Sequence, residues 1–194
     1  MLYEKLVALL RTGNDVEYKL SNSEILEELK RWRRAPEKRG ILGGVQPRMV
    51  YARVMPDAEH NIVSAHRRLV LTLYAVEPSL GRLLVRRAGY KYAQTVLDGI
   101  DSIEDSVLML ARKGVGMLDF KGCKSKRCKF RLYNCLTCSS IEPAREGDST
   151  LCEWEAGILE YIAEKFLRSR ALVKETRCWH IGYSFCEFVA ILRG

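Results

Sequence analysis

The chain has 194 residues, of which 47% are hydrophobic and 29% charged, and its formal net charge is +8. This length suits one domain with a true core, alone or with a small appendage, and the apolar content excludes a disordered chain. No apolar run reaches about eighteen residues, which argues against a membrane-spanning helix. The first residues lack the small-residue cleavage site of a signal peptide, so we expect a cytoplasmic protein.

Basic residues are concentrated in two segments, 30–39 and 121–131, and the second segment contains no acid. Such segments could bind nucleic acid or another polyanion. We favour the alternative, solvated helix faces and loops, because no known nucleic-acid-binding motif accompanies them. The residues concerned are Lys30, Arg31, Arg33, Arg34, Lys38, Arg39, Lys121, Lys124, Lys126, Arg127, Lys129 and Arg131.

Two helices are predicted near the start of the chain. The first covers residues 4–13 and ends at a glycine. The second begins at Ser21, which stands three residues before Glu24 in the pattern of a capping box, and it ends near Pro36.

A glycine-rich linker over residues 40–47 and a strand over 48–55 follow these helices. We therefore predict a helical N-terminal appendage over residues 1–45 and a ligand-binding domain over residues 46–194.

The middle of the chain predicts helices over 59–76 and 78–100 and a third helix that begins at Ser102. A strand over 114–122 follows, and then a loop-rich, basic segment over 121–149. In the second helix, apolar residues recur every four positions and predict a buried face. They are Leu80, Leu84, Ala88, Tyr92 and Val96.

The C-terminal part predicts one helix and two strands. The helix covers residues 151–169, and Thr150 with Glu153 forms a capping box at its start. The strands cover 171–175 and 184–192 and are joined by a turn. We predict the α+β class, with helices packed on an antiparallel sheet.

All seven cysteines lie after residue 120. Cysteines that served only as small core residues would be scattered through all the helices. Their clustering in a cytoplasmic chain favours metal or redox chemistry over disulfides. They are Cys123, Cys128, Cys135, Cys138, Cys152, Cys178 and Cys186.

The four upstream cysteines have the spacing C-x₄-C-x₆-C-x₂-C, which could hold a second zinc ion or an iron–sulfur cluster. The alternatives are a redox-sensitive loop, paired disulfides, or a mixed site that combines the last two with the downstream cysteines. The group consists of Cys123, Cys128, Cys135 and Cys138.

Three candidate metal ligands, Glu175, Cys178 and Cys186, lie in the predicted C-terminal hairpin, which brings such positions together. Cys152 lies at the start of the preceding helix, where backbone N–H groups favour a thiolate. Three thiolates and a carboxylate suit tetrahedral zinc. The alternative is buried core thiols with a solvent-facing Glu175, and the spacing leaves both interpretations open.

The stretch CEWEAGILEYIAEKFLRSRALVKETRCWHIGYSFCEFVAI, which begins at Cys152, resembles the 4-vinyl reductase family, also known as the hydrocarbon-binding family. The shared pattern is a cysteine before a helix with Ala156-Gly157, then E-x-x-C, then a glycine, then C-x-F. The resemblance covers residues 133–194. The family often has an acidic residue after the glycine, where this chain has Tyr183.

The resemblance implies a fold like that of TRAPP subunits and haem nitric-oxide sensors, and it implies a homodimer. Related phenol-responsive activators bind zinc through a cysteine, an E-x-x-C motif and a second cysteine. Carried over by motif, those positions are Cys152, Glu175, Cys178 and Cys186, so the resemblance favours zinc over buried thiols.

The function we favour is that of a zinc-containing protein that binds or senses a hydrophobic or aromatic small molecule, with the zinc structural. The helices between residues 60 and 114 would line an apolar pocket. This interpretation assigns no catalytic residue.

The first alternative is a 4-vinyl reductase-type enzyme that acts on a tetrapyrrole. The chain has no G-x-G-x-x-G motif, so the reducing electrons would come from an external hydride source or from an iron–sulfur cluster at the upstream cysteines. His180 could donate a proton, although a lone histidine in a turn is more often a surface residue. The second alternative is an adaptor that contacts a partner or nucleic acid through Trp32 and the neighbouring arginines.

Overall fold

The structure is a computed structural model that describes residues 21–38, 56–138 and 150–193. The helix predicted over 4–13 and the strand predicted over 48–55 lie outside the described residues.

Five α-helices occur among the described residues, and none of them is both long and apolar enough to cross a membrane. The capping box of Ser21 and Glu24 is confirmed, because each side chain accepts a hydrogen bond from the backbone of the other residue. The helices are α1 (Asn22–Arg33), α2 (Pro56–Val76), α3 (Pro78–Val96), α4 (Ile103–Arg112) and α5 (Glu153–Leu167).

A four-stranded antiparallel sheet lies beside these helices, in the order β1-β2-β4-β3. The α+β prediction with an antiparallel sheet is therefore confirmed. The strands are β1 (Met117–Lys124), β2 (Arg127–Tyr133), β3 (Arg170–Arg177) and β4 (Cys186–Arg193).

Strand β2 lies inside the segment that we predicted to be loop-rich, so that prediction is wrong over residues 127–133. Cys128, Phe130 and Leu132 are buried, and they alternate with more exposed basic residues. Alternation with a period of two is the signal of a strand with one solvent face. Here the signal was obscured because the exposed positions all carry positive charge.

Helix α5 begins differently from our prediction. Cys152 is its N-cap, and no side chain caps the helix, so the predicted capping box of Thr150 and Glu153 is wrong. The Glu153 carboxylate instead forms an ion pair of 2.6 Å with Arg86 of α3. The start of α5 is therefore held by a neighbouring helix rather than by its own cap.

Two glycines allow α5 to lie directly against α3. A Cβ atom on Gly157 would lie 1.9 Å from the carbonyl oxygen of Arg86, and a Cβ atom on Gly89 would lie 1.9 Å from that of Trp154. Only glycine allows two backbones to approach so closely. This approach fixes the position of Cys152 at the start of α5.

Helix α1 packs into the same hydrophobic core as the sheet. Trp32 is 7% exposed, and its ring stacks on Tyr133 with a centroid distance of 6.2 Å. Trp32 is thus a core residue in the described part of the chain. The domain boundary near residue 45 lies outside the described residues and stays a prediction.

Candidate metal centre

The four residues predicted to bind metal come from the start of one helix and from one hairpin. Cys152 precedes α5, Glu175 lies near the end of β3, Cys178 directly follows β3, and Cys186 is the first residue of β4. A single 3₁₀ turn, Trp179–Ile181, reverses the chain between the two strands. The fold therefore brings positions 34 residues apart to one place.

One donor atom from each of these four residues lies within 4.8 Å of the others. The Sγ atom of Cys152 is 3.7 Å from that of Cys178 and 3.6 Å from that of Cys186. Ligands at a zinc–sulfur distance of about 2.3 Å stand about 3.8 Å apart along the edge of a tetrahedron. The sulfur spacing therefore fits one tetrahedral ion, whereas the cysteines of an iron–sulfur cluster bind separate iron atoms.

The Glu175 carboxylate points into the same group of sulfur atoms. Its Oε2 accepts a hydrogen bond of 3.0 Å from the backbone N–H of Cys152, and its Oε1 is buried without a hydrogen-bond partner among the described residues. A buried carboxylate oxygen without a partner is costly. A cation at the centre would supply that partner, so the donor set fits a metal ion.

Two of the upstream cysteines lie at the same centre. Cys135 Sγ is 3.5 Å from Cys152 Sγ, and Cys138 Sγ is 3.1 Å from Cys186 Sγ. All four residues are buried, and their sulfur atoms form a second group within 4.8 Å. The arrangement corresponds to the mixed site that the sequence left open as an alternative.

The other two upstream cysteines are elsewhere. Cys123 and Cys128 pair across the β1–β2 hairpin and form a disulfide with each other. The structure therefore does not bring the four cysteines of the C-x₄-C-x₆-C-x₂-C pattern to one site.

Glu155 is a polar residue of the centre that the sequence analysis missed. It is 1% exposed, its Oε1 lies 3.1 Å from Cys135 Sγ, and the same oxygen accepts a hydrogen bond of 2.9 Å from the backbone N–H of Thr137. A usable signal was present, because Glu155 is in phase with the apolar face of α5 that continues through Ile158 and Ile162. An acid in phase with a buried face indicates a specific partner.

Protons are unevenly distributed over the centre when no cation is bound. Burial raises the pKa of the Cys152 and Cys186 thiols, whereas hydrogen bonds from neighbouring thiols lower the pKa of Cys178. Burial also raises the pKa of Glu155 and Glu175 well above the usual range of a carboxyl group. A metal ion would displace these protons, because it binds the thiolate and carboxylate forms.

Acids partly neutralise the two basic segments. Asp119, which is buried, lies 2.6 Å from both Arg33 and Lys121. Glu187 is also buried and accepts a hydrogen bond of 2.9 Å from Arg131. These ion pairs reduce the charge available to a polyanion, in line with the interpretation we favoured for these segments.

Residues 128–192 match the family model of the 4-vinyl reductase (V-4-R) domain. The resemblance to the 4-vinyl reductase family is thereby confirmed, and this chain carries a 4-vinyl reductase domain in its C-terminal third.

Two curated relatives come from Methanocaldococcus jannaschii. Uncharacterized protein MJ1642 is 35% identical over 60 residues, which are 31% of this chain and 35% of that protein. Uncharacterized protein MJ0150 is 24% identical over 154 residues, 79% of each chain. The chain thus spans only about a third of the first relative.

Two solved structures share the fold at low sequence identity. A trafficking protein particle complex subunit 3 from Naegleria fowleri, covalently bound to palmitic acid, matches with a TM-score of 0.54 at 11% identity and covers 72% of this chain and 97% of its own. The phenol-responsive sensory domain of the transcription activator PoxR, solved with phenol, matches with a TM-score of 0.50 at 15% identity, over 67% and 74%. The predicted likeness to TRAPP subunits is confirmed.

Two further structures have lower scores. A vinyl-4-reductase family protein from Methanocaldococcus jannaschii has a TM-score of 0.47 at 18% identity, over 57% of this chain and 68% of that protein. An H-NOX protein from S. oneidensis has a TM-score of 0.44 at 14% identity, over 100% and 98%.

Proposed function

We propose that this chain binds a hydrophobic or aromatic small molecule and that a zinc ion, held by Cys152, Glu175, Cys178 and Cys186, stabilises the fold. The observation that carries the zinc site is the convergence of four buried donor atoms within 4.8 Å from two separate elements. None of these residues has another evident role in the fold.

The proposed zinc is structural because its ligands are complete. Four protein ligands fill a tetrahedral ion and leave no open position for substrate or water. The ion would join the start of α5 to the β3–β4 hairpin, and these elements otherwise contact each other through apolar packing. Such a site contributes directly to the free energy of folding.

The proposal assigns zinc rather than a harder or softer ion because of the donor set. Thiolates exclude magnesium and calcium, which prefer oxygen ligands, and a carboxylate beside three thiolates is accepted by zinc. Four anionic ligands and one divalent ion leave a formal charge of about −2, which hydrogen bonds such as that from Cys152 N–H to Glu175 would partly offset.

The ligand class is proposed from the family and the shared fold. The solved PoxR domain holds phenol, and the solved trafficking subunit holds palmitic acid, so the fold accommodates apolar molecules in those proteins. We extend this property to the present chain.

A homodimer is part of the same proposal. Several large apolar side chains on α2 and α3 are exposed in the single chain, and a second copy would cover them. They are Leu69, Leu71, Val76, Leu80, Leu83 and Leu84.

Native mass spectrometry of the purified chain would test the metal, the ligand and the dimer together. We expect bound zinc in the wild type and in Cys123→Ser, and its loss, with loss of structure at the C-terminal half, in Cys178→Ser. Cys123 is a matched control because it is an exposed cysteine outside the centre. A folded Cys178→Ser variant that retains its zinc would contradict the structural role.

The ligand is tested separately with phenol and with palmitic acid as probes. A ligand that binds only the folded chain raises the melting temperature, by about 2.7 kcal/mol of stability at a hundred times its dissociation constant. We expect a saturable rise with at least one probe. The absence of a shift with both probes, in a chain that retains its zinc, would contradict the binding function and leave the zinc site standing.

A further inference from the structure

The buried centre contains more donor groups than one tetrahedral ion uses. Five thiols and one carboxylate lie together, and they form two overlapping groups of four donor atoms. Both groups contain Cys152 and Cys186. The first group adds Glu175 and Cys178, and the second group adds Cys135 and Cys138.

We propose that the centre binds two divalent metal ions, with the thiolates of Cys152 and Cys186 bridging them. The inference rests on the proposed function, because one of the two ions is the zinc ion proposed above. The second ion is bound by Cys135 and Cys138 in addition to the two bridging thiolates. All four ligands of this second ion are sulfur, a donor set that zinc accepts readily.

The distances fit two tetrahedra that share one edge. The shared edge is the distance between Cys152 Sγ and Cys186 Sγ, which is 3.6 Å. With metal–sulfur bonds of about 2.3 Å, ions on opposite sides of this edge lie about 3 Å apart. Cys135 Sγ and Cys138 Sγ lie 3.5 and 3.1 Å from one bridging sulfur each, close to the spacing of ligands on one ion.

The turn that carries the two additional thiols is fixed by contacts from other elements. The backbone N–H of Thr137 donates to Glu155 of α5 at 2.9 Å, and Arg67 of α2 donates to the carbonyl oxygens of Leu136 and Thr137 at 3.2 and 3.0 Å. The C-x₂-C spacing of Cys135 and Cys138 is typical of two ligands that bind one zinc ion. The thiols are therefore held in place before any ion binds.

The charge of the centre does not oppose a second ion. Converting Cys135 and Cys138 to thiolates adds two negative charges, and a divalent ion adds two positive charges. The formal charge stays at about −2, the value for the single ion with its four ligands. Without a second ion, two extra thiolates in this buried place would raise the negative charge to about −4, at a high cost.

The test is the number of metal ions per chain in protein purified without chelator, measured by elemental analysis with quantitative amino-acid analysis. We expect two zinc ions in the wild type, two in the control Cys123→Ser, and one in Cys138→Ser. Cys138 is chosen because it belongs only to the second group.

Other outcomes separate this inference from the proposed function. One ion in the wild type that is kept by Cys138→Ser and lost by Cys178→Ser would overturn the second ion and leave the zinc site standing. One ion that is kept by Cys178→Ser and lost by Cys138→Ser would overturn both. A metal-free wild type, or iron with acid-labile sulfide, would also overturn both.

A measurement on the wild type alone covers the case in which Cys138→Ser does not fold. X-ray absorption at the zinc edge reports neighbours of each ion. We expect a zinc–zinc distance of about 3 Å in addition to the sulfur shell. A sulfur and oxygen shell without a metal neighbour would overturn the two-ion centre.

Discussion

Two regions of this chain contain cysteines that lie close together, but their surroundings differ. At the tip of the β1–β2 hairpin, Cys123 and Cys128 are five residues apart and already face each other across paired strands. At the buried centre, thiols from the end of β2, the start of α5 and the β3–β4 hairpin meet far from their sequence neighbours.

The difference shows what a cross-link contributes in each place. A bond at the hairpin tip closes a loop that the strands have already closed, so the fold gains little. A metal ion at the centre would join elements that are otherwise connected by long segments of chain. The same residue type therefore has a small effect in one region and is expected to determine the fold in the other.

The largest expected effect is that of replacing a bridging cysteine. Cys186→Ser removes a ligand from both proposed sites, and structural zinc contributes roughly 10–16 kcal/mol in small domains, as much as the stability of a whole domain. We expect loss of metal and of cooperative thermal unfolding, followed by circular dichroism. Cys123→Ser is the control, with an expected cost of about 2 kcal/mol or less from the small loop it opens.

If Cys186→Ser unfolded like Cys123→Ser, the two regions would be equivalent and the centre would be a set of core thiols.

Reagents provide the same comparison in the unmodified chain. A strong chelator should lower the melting temperature by tens of degrees, whereas a phosphine reductant, which opens the disulfide, should lower it by a few degrees. Calorimetry with each reagent alone measures both effects. A chain that tolerates the chelator and unfolds with the reductant would reverse the comparison.

The approach of α5 to α3 is the next smaller effect. Gly157→Ala places a methyl group 1.9 Å from a backbone oxygen, so the helices must separate, and we expect a cost of about 3 kcal/mol together with weaker metal binding.

The matched control is Gly99→Ala, where φ is +71° and nothing lies within 4 Å of the added atom. Backbone strain alone should cost about 1 kcal/mol there, without an effect on the metal. Urea unfolding measures both changes. Equal costs at the two positions would mean that the close helix approach does not position Cys152.

The smallest effect concerns the basic face of the sheet. Arg131 binds the buried Glu187 at 2.9 Å, so we expect only weak retention on heparin, with little dependence on salt. Glu187→Gln removes the paired charge and should increase retention modestly. Strong retention of the wild type, with a steep salt dependence, would favour the nucleic-acid alternative.

Much of the fold followed from periodicity. The helices α2, α3 and α5 and both C-terminal strands were predicted because their apolar residues recur at regular intervals. Strand β2 was missed because its alternating exposed residues are all basic, and the charge was given more weight than the period.

The candidate site could be predicted only in part. Glu175, Cys178 and Cys186 lie on one hairpin, so local geometry and the family pattern were sufficient to group them. The approach of Cys135 and Cys138 depends on how β2 pairs with β4 and how the following turn is held, and neither is a local property of the sequence. Spacing alone grouped these two residues with Cys123 and Cys128, from which the fold separates them.

Anomalous diffraction from crystals of the untreated wild type, recorded above and below the zinc edge, would test the central claim most directly. The account predicts a zinc peak bounded by the sulfur atoms of Cys152, Cys178 and Cys186 and by a carboxylate oxygen of Glu175. A well-ordered centre without an anomalous peak at that position would contradict it.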